Sequence, residues 1–198
     1  MAGSFDRMPV AKVAWSPSPL PGQVVFVTSC DENGMVDIAP KSNITVVAFT
    51  GPTIGFGCSW DHRTAQNIRL TREFVVNVPG VALAESAWAM IDAEDRFAAA
   101  GLSTTPGKTV HVPSVDQCAA HLECALDRVI EFDNHEVFIL GTVRYLEITH
   151  QCAEAHDIED RYAGLGGLFY FLEDGHYARL GSPVSVGRDA PTERHQVL

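Results

Sequence analysis

The amino-acid sequence predicts a mainly β fold, a β-barrel with inserted helices, and three observations support this. Short runs of β-branched and aromatic residues recur along the chain, and clusters of turn-forming residues separate them. Helical periodicity is confined to two segments that follow strands, at residues 61–72 and 82–100. Many strands joined by tight turns favour an antiparallel barrel or sandwich over a parallel sheet, and we expect the barrel.

The first sixty residues contain four predicted strands. The turn sequence at residues 31–34, Asp-Glu-Asn-Gly, joins the first two into a hairpin, and Gly51-Pro52 separates the next two. Gly55 and Gly57 in the fourth strand indicate close approach of another backbone or of a ligand. The four strands are predicted at residues 23–29, 35–39, 44–49 and 53–59.

Two helices are predicted in the middle of the chain, with a strand at residues 73–78 between them. Residues 61–72 form the first helix, and residues 59–61 offer its N-cap. Residues 82–100 form the second, because Leu83, Ala87 and Met90 begin an apolar stripe that continues to residue 98. Gly101 is a suitable residue to end it.

The second half of the chain returns to strand patterns. Residues 121–132 begin with an alternation that places Leu122, Cys124 and Leu126 on one face. A turn at residues 133–134 leads into a long strand at 135–148. Residues 149–166 are polar, acidic and then rich in glycine, so we expect a loop. A last hairpin is predicted from strands at 168–172 and 176–180, around a turn at 173–175.

The length of the chain restricts its domain count. With 198 residues we expect one domain, residues 1–198. Four prolines within residues 1–22 favour an extended N-terminal arm. Residues 182–198 carry no pattern, and we expect a mobile tail there.

Charge and composition exclude several classes of protein. Asp and Glu number 25 and Lys and Arg number 14, a net charge of −11, whereas nucleic-acid binding needs a basic face. A single anionic ligand remains compatible, since a few cations and backbone N–H groups can hold one phosphate. No run approaches the roughly 20 apolar residues of a membrane-spanning helix. We expect no secretory signal, and reduced thiols at the 5 cysteines of a cytoplasmic protein.

Residues 57–67 are the most informative stretch. A strand ends there in small residues, and a helix opens with hydroxyls, an arginine and an amide, which is a combination suited to a phosphate. The candidate residues are Ser59, Arg63, Thr64 and Asn67. An ordinary capped surface helix is the alternative interpretation. Residues 39–43 form a second candidate, where Lys41, Ser42 and Asn43 can bond a planar ligand, and a plain polar strand connection is its alternative.

Other reactive residues were weighed against these. Cys118, His121 and Cys124 suggest a metal site, but an extended backbone places His121 opposite both cysteines, so we expect no metal. Cys58 adjoins the phosphate candidate, and we expect a buried structural thiol rather than a nucleophile. The acidic residues 157, 159 and 160 are expected on a solvated loop face.

Six stretches occur in the order found in one known family. They are PxPxxVVFVTSCDENGMVDIAPKSNITVVAF, a Gly-Pro turn, CSWDHRTAQNIRLTREFVVNVP, EDRFAAAGL, Asp133-Asn134-His135 with Gly141-Thr142-Val143, and LFYFLEDGHYARLG. Together they cover roughly residues 10–181. On these motifs the chain resembles the flavin reductase-like FMN-binding split-barrel family.

The resemblance implies a fold and a set of site residues. The fold is a six-stranded Greek-key split barrel that dimerises and completes its flavin cleft at the dimer interface. Lys41, Ser42 and Asn43 would run along the isoalloxazine ring of FMN, and Ser59, Arg63, Thr64 and Asn67 would hold its phosphate. Cys58 and Trp60 belong to the same cofactor-binding set, and Trp60 could stack on the flavin or narrow the site. His135 would lie on the open side, where a nicotinamide or another substrate docks.

The implied function is a homodimeric FMN-dependent oxidoreductase, in which NADH or NADPH reduces the flavin and electrons pass onward. FMN is expected rather than FAD. The cofactor carries the redox chemistry, so no side chain is assigned as a catalytic acid or base. The bulky loop at residues 60–62 and the long segment 149–166 depart from the family pattern. They keep open an FMN enzyme that acts directly on an organic substrate, an electron carrier, or a flavin-binding module without turnover.

Overall fold

The structure is a computed structural model, and it describes residues 22–172 and 176–183. The arm predicted at residues 1–22 lies outside the described residues up to residue 21, as do the turn at 173–175 and, from residue 184 onward, the tail predicted at 182–198. The described part is mainly β, as predicted. Its strands are β1 (Val25–Cys30), β2 (Val36–Lys41), β3 (Ile44–Ala48), β4 (Thr53–Ser59), β5 (Glu73–Val78), β6 (Thr104–Thr105), β7 (Ser114–Val115), β8 (Ala120–Glu131), β9 (Glu136–Ile148), β10 (Phe169–Phe171) and β11 (Tyr177–Arg179).

Seven of these strands form one antiparallel sheet in the order β2-β1-β5-β8-β9-β4-β3. The strands at its two ends, β2 and β3, are joined by residues 42 and 43 alone. Three Cα–Cα steps span at most about 11 Å, whereas six strand spacings in a flat sheet would separate its ends by about 29 Å. The sheet therefore curls into a barrel. The expected barrel is confirmed, with seven strands in its main sheet where the resemblance implied six.

The hairpins are where the sequence predicted them. Residues 31–34 join β1 to β2, β8 pairs along its length with β9, and β10 pairs with β11. The chain turns between β8 and β9 through Asn134 and His135, which both have positive φ, 63° and 65°. Two consecutive residues of this kind make the tight turn that a twisted hairpin prefers. His135 thus belongs to the turn, and β9 begins one residue after the predicted start of that strand.

The helices differ more from the prediction. They are α1 (Arg63–Thr71), α2 (Ala84–Ala89), α3 (Arg96–Ala100), α4 (His150–Glu154) and α5 (Ile158–Ala163), with a 3₁₀ turn at Val81–Leu83. The single helix predicted at residues 82–100 is wrong, because α2 ends before the acidic segment Asp-Ala-Glu-Asp at residues 92–95. Asp95 accepts a hydrogen bond from the backbone N–H of Ala98 and starts α3 as its N-cap. Gly101, with φ 64°, ends α3 as predicted.

Two further predictions are corrected. Residues 149–166 do not form a simple loop, since the side chains of Thr149 and Asp157 cap α4 and α5. These helices are too short to show an apolar period in the sequence. The N-cap of α1 is His62, not residues 59–61, and it makes no side-chain capping bond. The Ser59 hydroxyl instead accepts from the N–H of Asp61 at 3.1 Å.

The core lies on both sides of the sheet. Inside the barrel, Phe56 and Phe74 pack edge to face with centroids 5.6 Å apart. The predicted face of Leu122, Cys124 and Leu126 points into this interior cluster. On the outside, α2 and α3 pack against β1 and β2. The helices α1 and α3 therefore flank β2, whose end reaches the site described next.

Candidate functional site

A cavity of about 400 Å³ opens where β2, β4 and β9 converge. Its walls come from the β2–β3 corner, the end of β4, the residue that caps α1, and the turn into β9. The lining residues are Pro40, Lys41, Ser42, Asn43, Gly57, Cys58, Ser59, His62, Phe132, Glu136, Val137 and Phe138. The sequence separated these segments by almost a hundred residues, and the barrel brings them to one place.

The β2–β3 corner is fastened to β4 at the floor of this cavity. The side-chain amide of Asn43 donates to the carbonyl of Gly57 at 3.2 Å. A Cβ atom at position 57 would lie 2.5 Å from that amide nitrogen, so a larger residue there would displace the Asn43 amide from this hydrogen bond. Lys41 Nζ lies 3.4 Å from Cys58 Sγ. These contacts leave the hydroxyl of Ser42 and the charge of Lys41 on the cavity wall.

Cys58 differs from the other cysteines. All 5 cysteines lie in the described part of the chain as free thiols, and Cys30, Cys118, Cys124 and Cys152 are buried. Burial raises the pKa of Cys118 to about 12 and that of Cys124 further. Cys58 is half-buried, and its sulfur lies 3.8 Å from Nδ1 of His62. The buried structural thiol expected at Cys58 is therefore wrong, since this thiol faces the cavity.

His62 separates the large cavity from a smaller one. Burial, together with the positive charges of Lys41 and Arg96, lowers the pKa of His62 from its ordinary value. The imidazole is therefore neutral at neutral pH. The smaller cavity, of about 220 Å³, shares Pro40, Lys41 and His62 with the first. Its other lining residues are Ala39, Thr64, Met90, Ile91 and Arg96.

A buried carboxylate lies behind the smaller cavity. Asp37 on β2 is 6% exposed, and its Oδ1 lies 3.2 Å from Nη2 of Arg63 and 3.2 Å from Nη1 of Arg96. The hydroxyl of Thr64 donates to Oδ2 at 3.5 Å. The carboxylate thus joins β2 to the first turn of α1 and to α3.

The structure brings most, but not all, of the predicted binding residues to the two cavities. Lys41, Ser42, Asn43, Cys58 and Ser59 line the large cavity, and Thr64 lines the smaller one. Arg63 lies beside them in its ion pair with Asp37. Asn67 is buried and donates to the hydroxyl of Ser29 at 3.2 Å, so it fastens α1 to β1. Trp60 and His135 line neither cavity.

Trp60 and His135 lie together at the rim. The backbone N–H of Trp60 donates to the carbonyl of His135 at 2.9 Å. The guanidinium of Arg69 lies 5.0 Å from the centroid of the Trp60 ring, and that ring packs against the interior cluster. His135 Nδ1 is 3.8 Å from Asp61 Oδ1, and both side chains are exposed. The turn between β8 and β9 is thus attached to the loop that precedes α1.

Sequence reasoning missed several residues of the site. In the sequence Asp37 is an ordinary polar residue of a predicted strand. No residue near it in the sequence indicates that it pairs with two arginines. Arg96 stood in the EDRFAAAGL motif, although the motif assigned it no role. The aromatic side chains of Phe132 and Phe138 and the carboxylate of Glu136 also line the large cavity. Glu136 and Phe138 are two residues apart on β9, and this alternation was the signal that could have placed them on one face. Phe132 follows the end of β8 and carries no such signal.

The described ranges contain neither a metal-binding cluster nor a membrane-spanning helix. Residues 22–172 and 176–183 hold no group of three or more His, Cys, Asp or Glu side chains arranged for a metal ion. His121 Nε2 lies 2.8 Å from the carbonyl of Val115, and the two buried cysteines near it in sequence, Cys118 and Cys124, pack into two different core clusters. No helix in those ranges is long and apolar enough to span a membrane.

The chain is similar to known proteins along most of its length. The family model described as flavin reductase like domain matches residues 18–166. A protein of Methanothermobacter thermautotrophicus is 32% identical over 148 residues, which are 70% of this chain and 68% of that protein.

Two solved structures share the fold. The nitrilotriacetate monooxygenase component B of Bacillus cereus superposes with a TM-score of 0.80 at 20% identity and covers 92% of this chain and 100% of its own. The 2-nitrobenzoate 2-nitroreductase of Pseudomonas fluorescens has a TM-score of 0.75 at 23% identity and covers 93% of this chain and 97% of its own. At such identities these likenesses show the fold.

Proposed function

Because this chain belongs to the flavin reductase-like domain family, we propose that it is an FMN-dependent oxidoreductase that takes electrons from NADH or NADPH. One observation carries the proposal. Five of the nine residues that the sequence motifs assign to the cofactor line one cavity of about 400 Å³. The names of the two structural neighbours, a monooxygenase component and a nitroreductase, belong to oxidoreductases and support the same class.

The residues present fit a phosphorylated flavin. A flavin has a broad planar ring with polar edges, and the cavity offers the aromatic Phe132 and Phe138 together with the ammonium of Lys41. A phosphate needs cations and N–H or O–H donors. Arg63 and the hydroxyl of Ser59 supply them, and Arg96, whose Nε is buried without a hydrogen-bond partner among the described residues, adds positive charge to the same region through the carboxylate that it shares with Arg63.

Each predicted residue receives a role from its position. Lys41, Ser42 and Asn43 would bind the ring, because the corner they form is fastened across the cavity floor. Ser59 and Arg63 would bind the phosphate, and Thr64 would do so from the smaller cavity. Asn67 would act indirectly by holding α1 against β1. Cys58 would face the flavin, while Trp60 would stabilise the rim.

The chemistry of the proposed reaction is that of the flavin, which can accept a hydride from a nicotinamide and pass electrons onward. The protein supplies position and charge. Lys41 would stabilise negative charge at the polar edge of the ring, because its Nζ is held at the cavity wall by β2 and by Cys58. His135, exposed at the rim, would orient the nicotinamide. No side chain need act as a strong acid or base.

A homodimer is part of the proposal. The cavity is open to solvent, and Phe132 on its wall is 57% exposed. Val46, Val47 and Phe49 form another exposed apolar surface at the β3 edge. A second copy of this chain would cover such surfaces and complete the cleft. Sedimentation with and without FMN tests this point, and a monomer under both conditions would contradict it.

Reduction of the bound flavin tests the electron donor. We expect anaerobic NADH or NADPH to bleach the flavin absorbance of the FMN-loaded protein in stopped flow. A bound flavin that neither donor reduces would favour an FMN enzyme that acts directly on an organic substrate. The 2-nitrobenzoate 2-nitroreductase among the structural neighbours is the observation that favours this second candidate. A bound flavin with no turnover from any donor would indicate a non-catalytic module.

A further inference from the structure

Two arginines share one buried carboxylate beside the proposed phosphate position. Asp37 Oδ1 is 3.2 Å from both Arg63 Nη2 and Arg96 Nη1. Two guanidinium groups and one carboxylate leave one net positive charge in this region. Burying an unpaired carboxylate raises the free energy of the folded state, so Asp37 needs a positively charged partner.

The two arginines hold the carboxylate in different ways. Arg96 is 24% exposed, and its Nη1 spans both oxygens of Asp37 at 3.2 and 3.3 Å. The same nitrogen donates to the backbone carbonyl of Ile38 at 3.1 Å, which anchors α3 on β2. Arg63 is 56% exposed and pairs with Asp37 through Nη2. More than half of its side-chain surface is therefore exposed, and a ligand can reach it.

We infer that Arg96 sets the preference of this chain for a phosphorylated flavin by neutralising Asp37, so that Arg63 stays available to the phosphate. This inference rests on the proposed function. A carboxylate and a phosphate compete for one guanidinium, because both form charge-assisted hydrogen bonds with it. Arg96 neutralises the carboxylate and weakens that competition, although Arg63 keeps one contact with Oδ1. It is a positioning residue, since it acts through Asp37 and Arg63.

The consequence of removing Arg96 follows from the charges. Arg63 would become the sole counter-ion of Asp37, and the net positive charge of the region would fall to zero. The phosphate of FMN would then have to compete with Asp37 for Arg63, the one arginine that remains. Removing Asp37 and Arg96 together leaves Arg63 alone with its positive charge. The double change therefore restores the local charge of the wild type, and FMN binding should recover with it. If Arg96 acted in folding or through direct contact with the phosphate, the double variant would not recover.

The experiment compares the affinities for FMN and riboflavin, which differ by the phosphate alone. Binding is followed by quenching of flavin fluorescence in the wild type and in Arg96→Gln, Arg96→Lys and Asp37→Asn/Arg96→Gln. We expect Arg96→Gln to reduce the FMN-to-riboflavin affinity ratio about tenfold or more, as expected for a lost charge-assisted contact. Riboflavin affinity should stay unchanged. Arg96→Lys keeps the cation and should keep most of the ratio, and the double variant should recover it.

A matched control removes an arginine outside the network. Arg128 is exposed and pairs with its neighbour Asp127, so Arg128→Gln makes the same change in net charge. An unchanged ratio in Arg96→Gln would overturn the inference, as would a double variant that stays as weak as the single one. A wild type that binds both flavins equally would overturn the inference while leaving flavin binding intact. A wild type that binds neither would overturn the proposed function as well.

Discussion

The ammonium nitrogen of Lys41 lies 3.4 Å from the sulfur of Cys58. Lys41 ends β2, at one end of the sheet order, and Cys58 lies on β4, next to the other end. Their contact joins strands that a flat sheet would hold far apart, and it does so at the wall of the large cavity. The contact that joins β2 to β4 in the closed barrel therefore also forms part of the wall of the candidate site.

Cys58 should be the cysteine of the native protein that alkylating reagents modify fastest. Its sulfur faces the cavity, whereas the other four cysteines are buried. We expect iodoacetamide to label one cysteine rapidly, with peptide mapping by mass spectrometry identifying Cys58, and FMN to slow the labelling. Cys58→Ser is the control, and a fast thiol that persists in this variant would refute the assignment.

Arg63 should contribute to FMN binding through the phosphate. Arg63→Ala removes charge-assisted hydrogen bonds worth about 1.5–3 kcal/mol, which corresponds to a loss of FMN affinity of at least about tenfold. Riboflavin affinity should change little, since riboflavin has no phosphate. Calorimetric titration with both flavins measures the difference, and Arg128→Ala serves as the control. Equal losses for the two flavins would show that Arg63 does not bind the phosphate.

His62 should make the protein less stable in mild acid. Its pKa is lowered by burial and by the charges of Lys41 and Arg96, so the unfolded chain takes up the proton more readily than the folded one. This loss of stability is absent above the ordinary histidine pKa of about 6.5, and it grows as the pH falls below that value.

A single substitution isolates that effect. The difference in the free energy of unfolding between His62→Gln and the wild type should shift in favour of the variant between neutral pH and about pH 5. Urea denaturation at both pH values measures it, with the exposed His156→Gln as a control for losing a histidine. A difference that stays constant with pH would show that His62 is not the group responsible.

Glu123 should stabilise the segment at residues 106–112 from inside the fold. It is 2% exposed, and its oxygens accept from the N–H of Lys108, the N–H of Thr109 and the Thr109 hydroxyl, each at 2.6 Å. Burial raises the pKa of Glu123, but these hydrogen bonds lower it and prevail. The ionised form therefore stabilises the folded state.

Glu123→Gln should cost about 1.5–3 kcal/mol at neutral pH. The loss should shrink as the pH falls below about 4.3, where the unfolded carboxylate takes up its proton and the stabilisation of the wild type disappears. Urea denaturation over this range measures it. Glu32→Gln, at an exposed turn, makes the same chemical change and should cost little. Equal costs for the two variants would contradict the role given to Glu123.

Local patterns predicted the strands well, because each strand carries its own alternation and its own turn residues. β4 and β5 have the predicted bounds, and β3 differs by one residue at its end. The helix at residues 82–100 was overpredicted, since the apolar stripe continues past the acidic residues that end α2 and cap α3. α4 and α5 were missed because one turn of helix has too few residues to show a period.

The site was predictable only in part, and the reason is physical. Lys41, Ser42 and Asn43 stand at a strand connection that the sequence marks, so their position followed from the motif. Asp37 and Arg96 are 59 residues apart and meet only because α3 packs on β2. A tertiary contact of this kind leaves no local pattern.

A titration with FMN tests most directly whether the cleft between the β2–β3 corner, β4 and α1 is a flavin site. The measurement is the visible absorption difference spectrum of the purified protein as FMN is added. A saturable change that ends near one FMN per chain, and that weakens in Arg63→Ala, is the predicted result. A spectrum equal to that of free FMN at every ratio would contradict the proposal, and with it the role given to each cleft residue.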